Sequence, residues 1–236
     1  MRTVQNKRSP FAVLYEDNHL LIVNKASGVL SQGDATGDTS LVDLCKAYIK
    51  DKFKKPGAVF LGLVHRLDRP VSGVIVLART SKALARMNAL FRNKATRKIY
   101  WAVVKGTPEV TAATLKHWLI KNENKNVTKA FIRETPGAQY AELSYRVLAQ
   151  EHGYSLLEVN PVTGRPHQIR VQLASIGCPI GGDIKYGSDL ANEDGSICLH
   201  ARELYFNHPV QQVPVVVKAP IPDMGLWKYF LKLDRV

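Results

Sequence analysis

Residues 58–78 read Ala-Val-Phe-Leu-Gly-Leu-Val-His-Arg-Leu-Asp-Arg-Pro-Val-Ser-Gly-Val-Ile-Val-Leu-Ala. Two apolar runs of strand length, 58–64 and 74–78, bracket a polar segment punctuated by Pro70 and Gly73. Pro and Gly interrupt a ladder and favour turns, so this pattern predicts two buried strands joined by a loop. Towards the N-terminus, residues 11–15 and 20–23 flank the turn-rich Glu16-Asp17-Asn18 and predict a hairpin. Residues 31–39 have loop composition. Ser40 with Asp43 matches a capping box, and Leu41, Leu44, Cys45, Tyr48 and Ile49 follow at helical spacing to about Phe53. Towards the C-terminus, Ser81 is expected to cap a helix with Leu84, Met87, Leu90 and Phe91 on one face. A strand over 97–104 comes next. Residues 139–149 alternate and pair with 154–159 across Glu151-His152-Gly153. Pro166 suits the first turn of a helix that carries Ile169, Leu173 and Ile176 and stops at Gly177. Strands over 197–206 and 213–218 and a short helix near 226–231 close the chain. Strands dominate and many are hairpins, which predicts an α+β fold: a mixed, largely antiparallel central sheet flanked by a few helices and loops. There is no internal repeat and no composition break. The expected organisation is a basic tail over 1–10 and one domain over 11–236.

The chain has 236 residues, 45% apolar and 22% charged, which excludes disorder and low complexity for most of it. No run approaches the ~20 apolar residues of a membrane helix, and the basic N-terminus leads into no apolar signal core. Cys45, Cys178 and Cys198 are odd in number and far apart, which suits reduced thiols in a cytoplasm. The informative quantity is a net charge of +13. From Arg79 to Lys105 there are eight Lys/Arg and no acid. Lys46, Lys50, Lys52, Lys54 and Lys55 form a second cluster, and Lys116, Lys121, Lys125, Lys129 and Arg133 a third. Clustered basic charge points to a nucleic acid partner rather than to a merely solvated surface.

No phosphate loop, dinucleotide fingerprint, Cys-x-x-Cys or His-Glu-x-x-His string is present, so neither a nucleotide cofactor nor a zinc site is expected. His65, His167 and His200 have no helical or knuckle spacing. Asp68 stands out: a carboxylate between Arg66 and Arg69, on a loop between buried strands. Such a carboxylate either does chemistry or pairs with its arginine neighbours and fixes the loop. Gly164-Arg165-Pro166-His167-Gln168-Ile169-Arg170 sets two arginines and an imidazole at a helix start, a ready anion site. In Arg97-Lys98-Ile99-Tyr100-Trp101, alternation puts Lys98 and Tyr100 on one face. A tyrosine there can stack on a base or simply be half-buried in a sheet.

Val-His-Arg-Leu-Asp-Arg-Pro-Val-Ser-Gly at 64–73 resembles the catalytic loop of RNA pseudouridine synthases of the RluA type. Arg-Lys-Ile-Tyr at 97–100, Gly-Arg-Pro-His-Gln-Ile-Arg at 164–170 and Gly-Asp-Ile-Lys-Tyr at 182–186 resemble the later motifs of that family, in the same order. The resemblance runs from about Tyr15 to Phe206, with Val71 where the family usually has Thr. About ten residues precede the first expected strand, so the S4 RNA-binding module of many relatives is expected to be absent. The resemblance implies isomerisation of uridine in ribosomal or transfer RNA to pseudouridine, without cofactor, metal, membrane or obligate protein partner. It implies Asp68 as the catalytic aspartate, Tyr100 stacked on the uracil and Arg170 paired with the carboxylate. Arg66, Arg69, Lys98, Arg165 and His167 would hold the extruded nucleotide and its backbone, and Leu199 would pack beneath the uracil. Two other functions compete: a non-enzymatic RNA-binding or chaperone domain, and a metal-dependent RNA hydrolase built on His65, Asp68 and His167.

Overall fold

In the computed structural model, which describes residues 9–234, the apolar run after the Asp68 loop becomes β4 (Ser72–Ala78), buried along its whole length. Residues 1–8, most of the expected basic tail, lie outside the described residues. The expected hairpin forms as β1 (Phe11–Glu16) and β2 (Leu20–Lys25). Asp17 makes its turn by accepting from the backbone N–H groups of His19 and Leu20, both at 2.7 Å. α1 (Leu41–Lys52) carries the expected capping box between Ser40 and Asp43. α2 (Ser81–Arg92) starts one residue earlier than expected, because Thr80 rather than Ser81 accepts the cap bond, from Ala83 N at 3.1 Å. The alternating side chains of β4 bury into two separate layers. Ile75 and Leu77 meet Leu41, Cys45 and Ile49 of α1, and Val74 and Val76 meet Ala83 and Met87 of α2. Each fully enclosed side chain of this kind contributes about 1.5–3 kcal/mol.

The run 58–64 shrinks to the two-residue β3 (Gly62–Leu63), which pairs with the far end of β4. β5 (Arg97–Lys105) follows, then β6 (Ala112–Asn122) and β7 (Val127–Phe131). The last two were not expected as strands, since their lysines read as a charge cluster rather than as the outer half of an alternation. β8 (Gln139–Glu151) and β9 (Tyr154–Pro161) form the predicted hairpin. His152 and Gly153 at its tip both take left-handed backbone, φ 50° and 78°, as a two-residue hairpin turn requires. α3 spans Gln168–Ser175, with His167 as its N-cap at φ 54°. Pro166 therefore lies outside the helix rather than in its first turn. β10 (Leu199–Asn207) and β11 (Pro214–Lys218) are followed by a 3-10 turn over Gly225–Phe230 and α4 (Leu231–Asp234).

All described strands join one sheet in the order β1-β2-β4-β10-β5-β9-β8-β6-β7, with β3 on β4 and β11 on β10. Every described pairing is antiparallel except β4 with β10, where Ser72 faces His200 and Gly73 faces Ala201. This parallel seam demands glycine: Gly73 sits at φ 118°, and a Cβ there would lie 2.3 Å from the Ala201 carbonyl oxygen. Across it, the Ser72 hydroxyl and His200 Nδ1 are 2.8 Å apart in the buried interior.

Candidate active site

The Asp68 loop leaves the seam and is clamped at every carbonyl from Leu67 to Pro70. Leu67 O accepts from the Ser31 hydroxyl at 2.7 Å, and Asp68 O from Val71 N at 3.0 Å. Arg69 O accepts from Gly28 N at 2.8 Å and from Lys25 Nζ at 3.3 Å, and Pro70 O from Ile197 N at 3.1 Å. A loop so fully bonded holds its side chains in fixed directions. Lys25 is fully buried and also donates to the carbonyls of Ala26 and Val29. Burial pulls its ammonium down to about 7, against the attraction of Asp68.

The Asp68 carboxylate opens into a cleft of about 1420 Å³ between this loop, β5, the α3 start and the Leu199 end of β10. All nine site residues expected from the sequence line the cleft. Its walls carry ten lysines and arginines against two aspartates, Asp34 and Asp68, so its field is strongly positive. Asp68 pairs with neither arginine beside it in sequence. Its Oδ2 accepts from Arg170 Nη1 at 3.0 Å, across 102 residues. Arg170 is buried and forks onto Asp183, with Nε to Oδ2 at 2.7 Å and Nη2 to Oδ1 at 2.8 Å. Its guanidinium also sits 4.9 Å from the Tyr186 ring centre. Burial opposes this charge, but the bonds and charges of Asp183 and Asp68 together outweigh it and raise Arg170 above the usual guanidinium value. The arginine is thus locked from behind and offers one edge to Asp68.

His167 Nε2 lies 3.7 Å from the same Asp68 oxygen. Its Nδ1 is 2.7 Å from the Tyr186 hydroxyl, which accepts from Thr128 N at 2.8 Å. Burial, opposed by Asp68 and reinforced by Arg170, lowers His167 and favours its neutral ring.

Lys98 and Tyr100 share one face of β5, as alternation predicts. Burial lowers Lys98. Burial first and the Asp68 charge second push Tyr100 well above the usual phenol value, so it stays a neutral phenol. Leu199, 4% exposed, forms part of the cleft wall beside Tyr100. Arg66 projects from the loop, exposed and without an ion pair among the described residues. Arg69 is tied to Asp38 at 2.8 Å and to the Gly28 carbonyl at 3.0 Å, and Arg165 Nε donates to Tyr140 O at 3.0 Å. His65, His167 and His200 have separate partners. His65 Nε2 accepts from Val76 N at 3.2 Å while its ring stacks on Phe91, and His200 bonds Ser72. Burial, then Lys98, takes His65 down to about 3. Among the described residues no three His, Cys, Asp or Glu gather as a metal site.

Sequence reasoning passed over Asp183, Tyr186 and Lys25. The first two lie in the quoted string 182–186, yet nothing local shows that Asp183 grips Arg170 or that Tyr186 orders His167.

Residues 19–175 match the family described as RNA pseudouridylate synthase. The chain is similar to the ribosomal large subunit pseudouridine synthase C of Vibrio cholerae, 34% identical over 215 residues, covering 89% of this chain and 65% of that protein. The protein of the same name in Vibrio vulnificus is 32% identical over 217 residues, covering 89% and 66%. The chain thus spans about two thirds of the length of these curated relatives. Among solved structures, human RNA pseudouridylate synthase domain containing 4 superposes with a TM-score of 0.75 at 25% identity, covering 94% of this chain and 90% of that one.

Proposed function

The chain belongs to the RNA pseudouridylate synthase family, and on that premise we propose that it isomerises uridine in RNA to pseudouridine. The observation that carries this reading is an aspartate fixed by a buried arginine at the floor of a positively charged cleft, beside a neutral tyrosine. A cleft made only to hold phosphates gains nothing from a carboxylate there, which argues against a non-enzymatic RNA-binding domain.

In the reaction the N1–C1′ bond of uridine breaks, the uracil turns, and a C5–C1′ bond forms. C5 loses its hydrogen as a proton and N1 takes one up, so the net change is an isomerisation. Asp68 supplies the nucleophile. Its Oδ2 is occupied by Arg170, which leaves Oδ1 for attack on the ribose or the base. Tyr100 stacks on the uracil, and its hydroxyl takes up the C5 proton in concert with passing its own proton on to solvent. Arg170 orients Asp68, and Leu199 packs beneath the base. The target atoms are hidden in a duplex, so the nucleotide is extruded into the cleft. Arg66, Lys98 and His167 grip it, with Arg69 and Arg165 adding their remaining N–H groups.

We take residues 11–236 as one catalytic unit working in the cytoplasm on ribosomal RNA, the substrate class named for the Vibrio relatives; transfer RNA is the second candidate. The test is tritium release from RNA labelled at uridine C5, using large ribosomal RNA and transfer RNA transcripts. Release from ribosomal RNA that disappears with Asp68→Asn is expected. Release from neither RNA, or undiminished release by freshly purified Asp68→Asn, overturns the reading.

A further inference from the structure

The outer half of the β6–β7–β8 sheet carries a feature that the catalytic cleft does not use. Phe131, Trp118 and Tyr140 stand directly opposite one another on three adjacent strands. Residues in cross-strand register share one face, so the three rings form a continuous row about 10 Å across. Trp118 and Tyr140 meet edge to face, with centroids 5.5 Å apart. The other face of these strands is the one α3 covers, where Leu119, Ala141 and Val171 pack together. None of the three aromatic residues belongs to any core cluster, and Tyr140 is 37% exposed. Trp118 and Phe131 are half-buried, and aromatic rings in register with one side open suit a ligand with flat apolar faces.

The charge around the row selects the ligand. Lys116 and Lys129 lie on the same face, one step along from Trp118 and Phe131, and Arg133 follows the end of β7; all three are exposed. None of them makes an ion pair among the described residues. The acids nearby are Glu142, opposite Lys116 and bonded by the Tyr140 hydroxyl, and Glu134. The row also lies near the cleft rim: Arg165, a cleft residue, donates to the Tyr140 carbonyl at 3.0 Å. Alternating aromatic faces and unpaired cations are what single-stranded RNA requires.

We propose that this face is a second RNA-binding surface, on which unpaired bases flanking the target nucleotide stack against Trp118 and Tyr140 while Lys116, Lys129 and Arg133 hold their phosphates. The proposal rests on the reading of the cleft as an RNA site, which it extends from the reacting nucleotide to its neighbours.

The other two tryptophans, Trp101 and Trp227, are 7% and 4% exposed. RNA-induced quenching of tryptophan fluorescence therefore reports on Trp118. The full chain is titrated with a uridine-containing RNA stem-loop that has a single-stranded flank, and pseudouridine is measured in the same RNA under single turnover. Wild type is expected to quench. Trp118→Phe should bind within about twofold of wild type but lose the quench, because phenylalanine still stacks. Trp118→Ala should bind roughly 5- to 150-fold more weakly, the equivalent of ~1–3 kcal/mol per stacked base, with an unchanged rate at saturating enzyme. Lys129→Gln, a surface change without folding consequence, should lower the slope of log affinity against log salt by about 0.7. Quenching that persists in Trp118→Phe, or wild-type affinity in both Trp118→Ala and Lys129→Gln, overturns the surface, including the case in which a protein segment is its true occupant. Quenching at Trp118 without any pseudouridine overturns the catalytic reading and leaves the surface standing; pseudouridine with a silent Trp118 does the reverse.

Discussion

Replacing Asp183 with Asn keeps the size and shape of the side chain and removes its charge. Asp183 is 1% exposed, and its two oxygens take Nε and Nη2 of Arg170 at 2.7 and 2.8 Å. The amide can accept one of these bonds. Its NH₂ group faces the other N–H, so one charge-assisted bond, about 1.5–3 kcal/mol, is lost and replaced by a donor–donor clash. Arg170 also keeps its charge in a buried site with half of its compensation gone. Breaking a buried pair in this way costs about 3–5 kcal/mol, and we expect the lower end because Asp68 remains as a partner. For a chain of this length each kcal/mol lowers Tm by roughly 2–4 °C, which predicts a fall of about 6–12 °C. Activity should fall by more than stability explains. At a temperature where the variant is fully folded, the single-turnover rate should drop at least about tenfold, because the guanidinium is free to swing and Asp68 loses its fixed direction. Circular dichroism melts and single-turnover tritium release measure the two effects. A Tm within about 1 °C of wild type, or a full rate in the folded variant, refutes the assignment of Asp183 as the anchor of Arg170.

Three further expectations follow from particular contacts. Tyr100→Phe should bind RNA as wild type does but slow a step after binding; a wild-type single-turnover rate would confine Tyr100 to stacking. Gly73→Ala should cost more than about 3 kcal/mol, since its Cβ would strike the Ala201 backbone at a φ that only glycine adopts easily, and urea unfolding with an unchanged midpoint would contradict this. Lys25 tests a pH dependence. Its folded value of about 7 lies below the ordinary lysine value of 10.5, so between these pH values the unfolded chain binds the extra proton and stability rises with pH. Lys25→Met should lack that rise, and parallel stability curves for the two proteins from pH 7 to 10 would falsify the shift.

What could be read from the sequence was local. The Ser40 capping box, the 139–159 hairpin and the buried run of β4 are patterns within a few residues, and the structure has them. β6 and β7 escaped because Lys116, Lys121 and Lys129 gave a strand alternation the look of a charge run. The α3 start was misjudged because His167, a non-glycine residue, takes a left-handed backbone that no propensity rule anticipates. The pairing of Asp68 with Arg170 spans 102 residues. Composition could only offer its nearer arginines as partners, and the motif resemblance was needed to look past them. The Asp183 anchor lay inside a quoted motif, but nothing in the string says which residue it grips, since a buried ion pair leaves no periodicity behind.

The glycine-lined parallel seam also sets a timetable for biosynthesis. Ser72 and His200 meet across 128 residues, which at ~5–20 residues per second take about 6–26 s to translate. Until then the N-terminal end of β4 waits with an unfilled edge, flanked by the apolar Val71 and Val74. Such an edge is a template for another chain's strand. The nascent protein is therefore most prone to aggregate while the stretch between Ser72 and His200 is still being made. Asp68 and Arg170 sit on either side of this seam, so a chain that stops short of β10 lacks the strand that brings their halves of the cleft together.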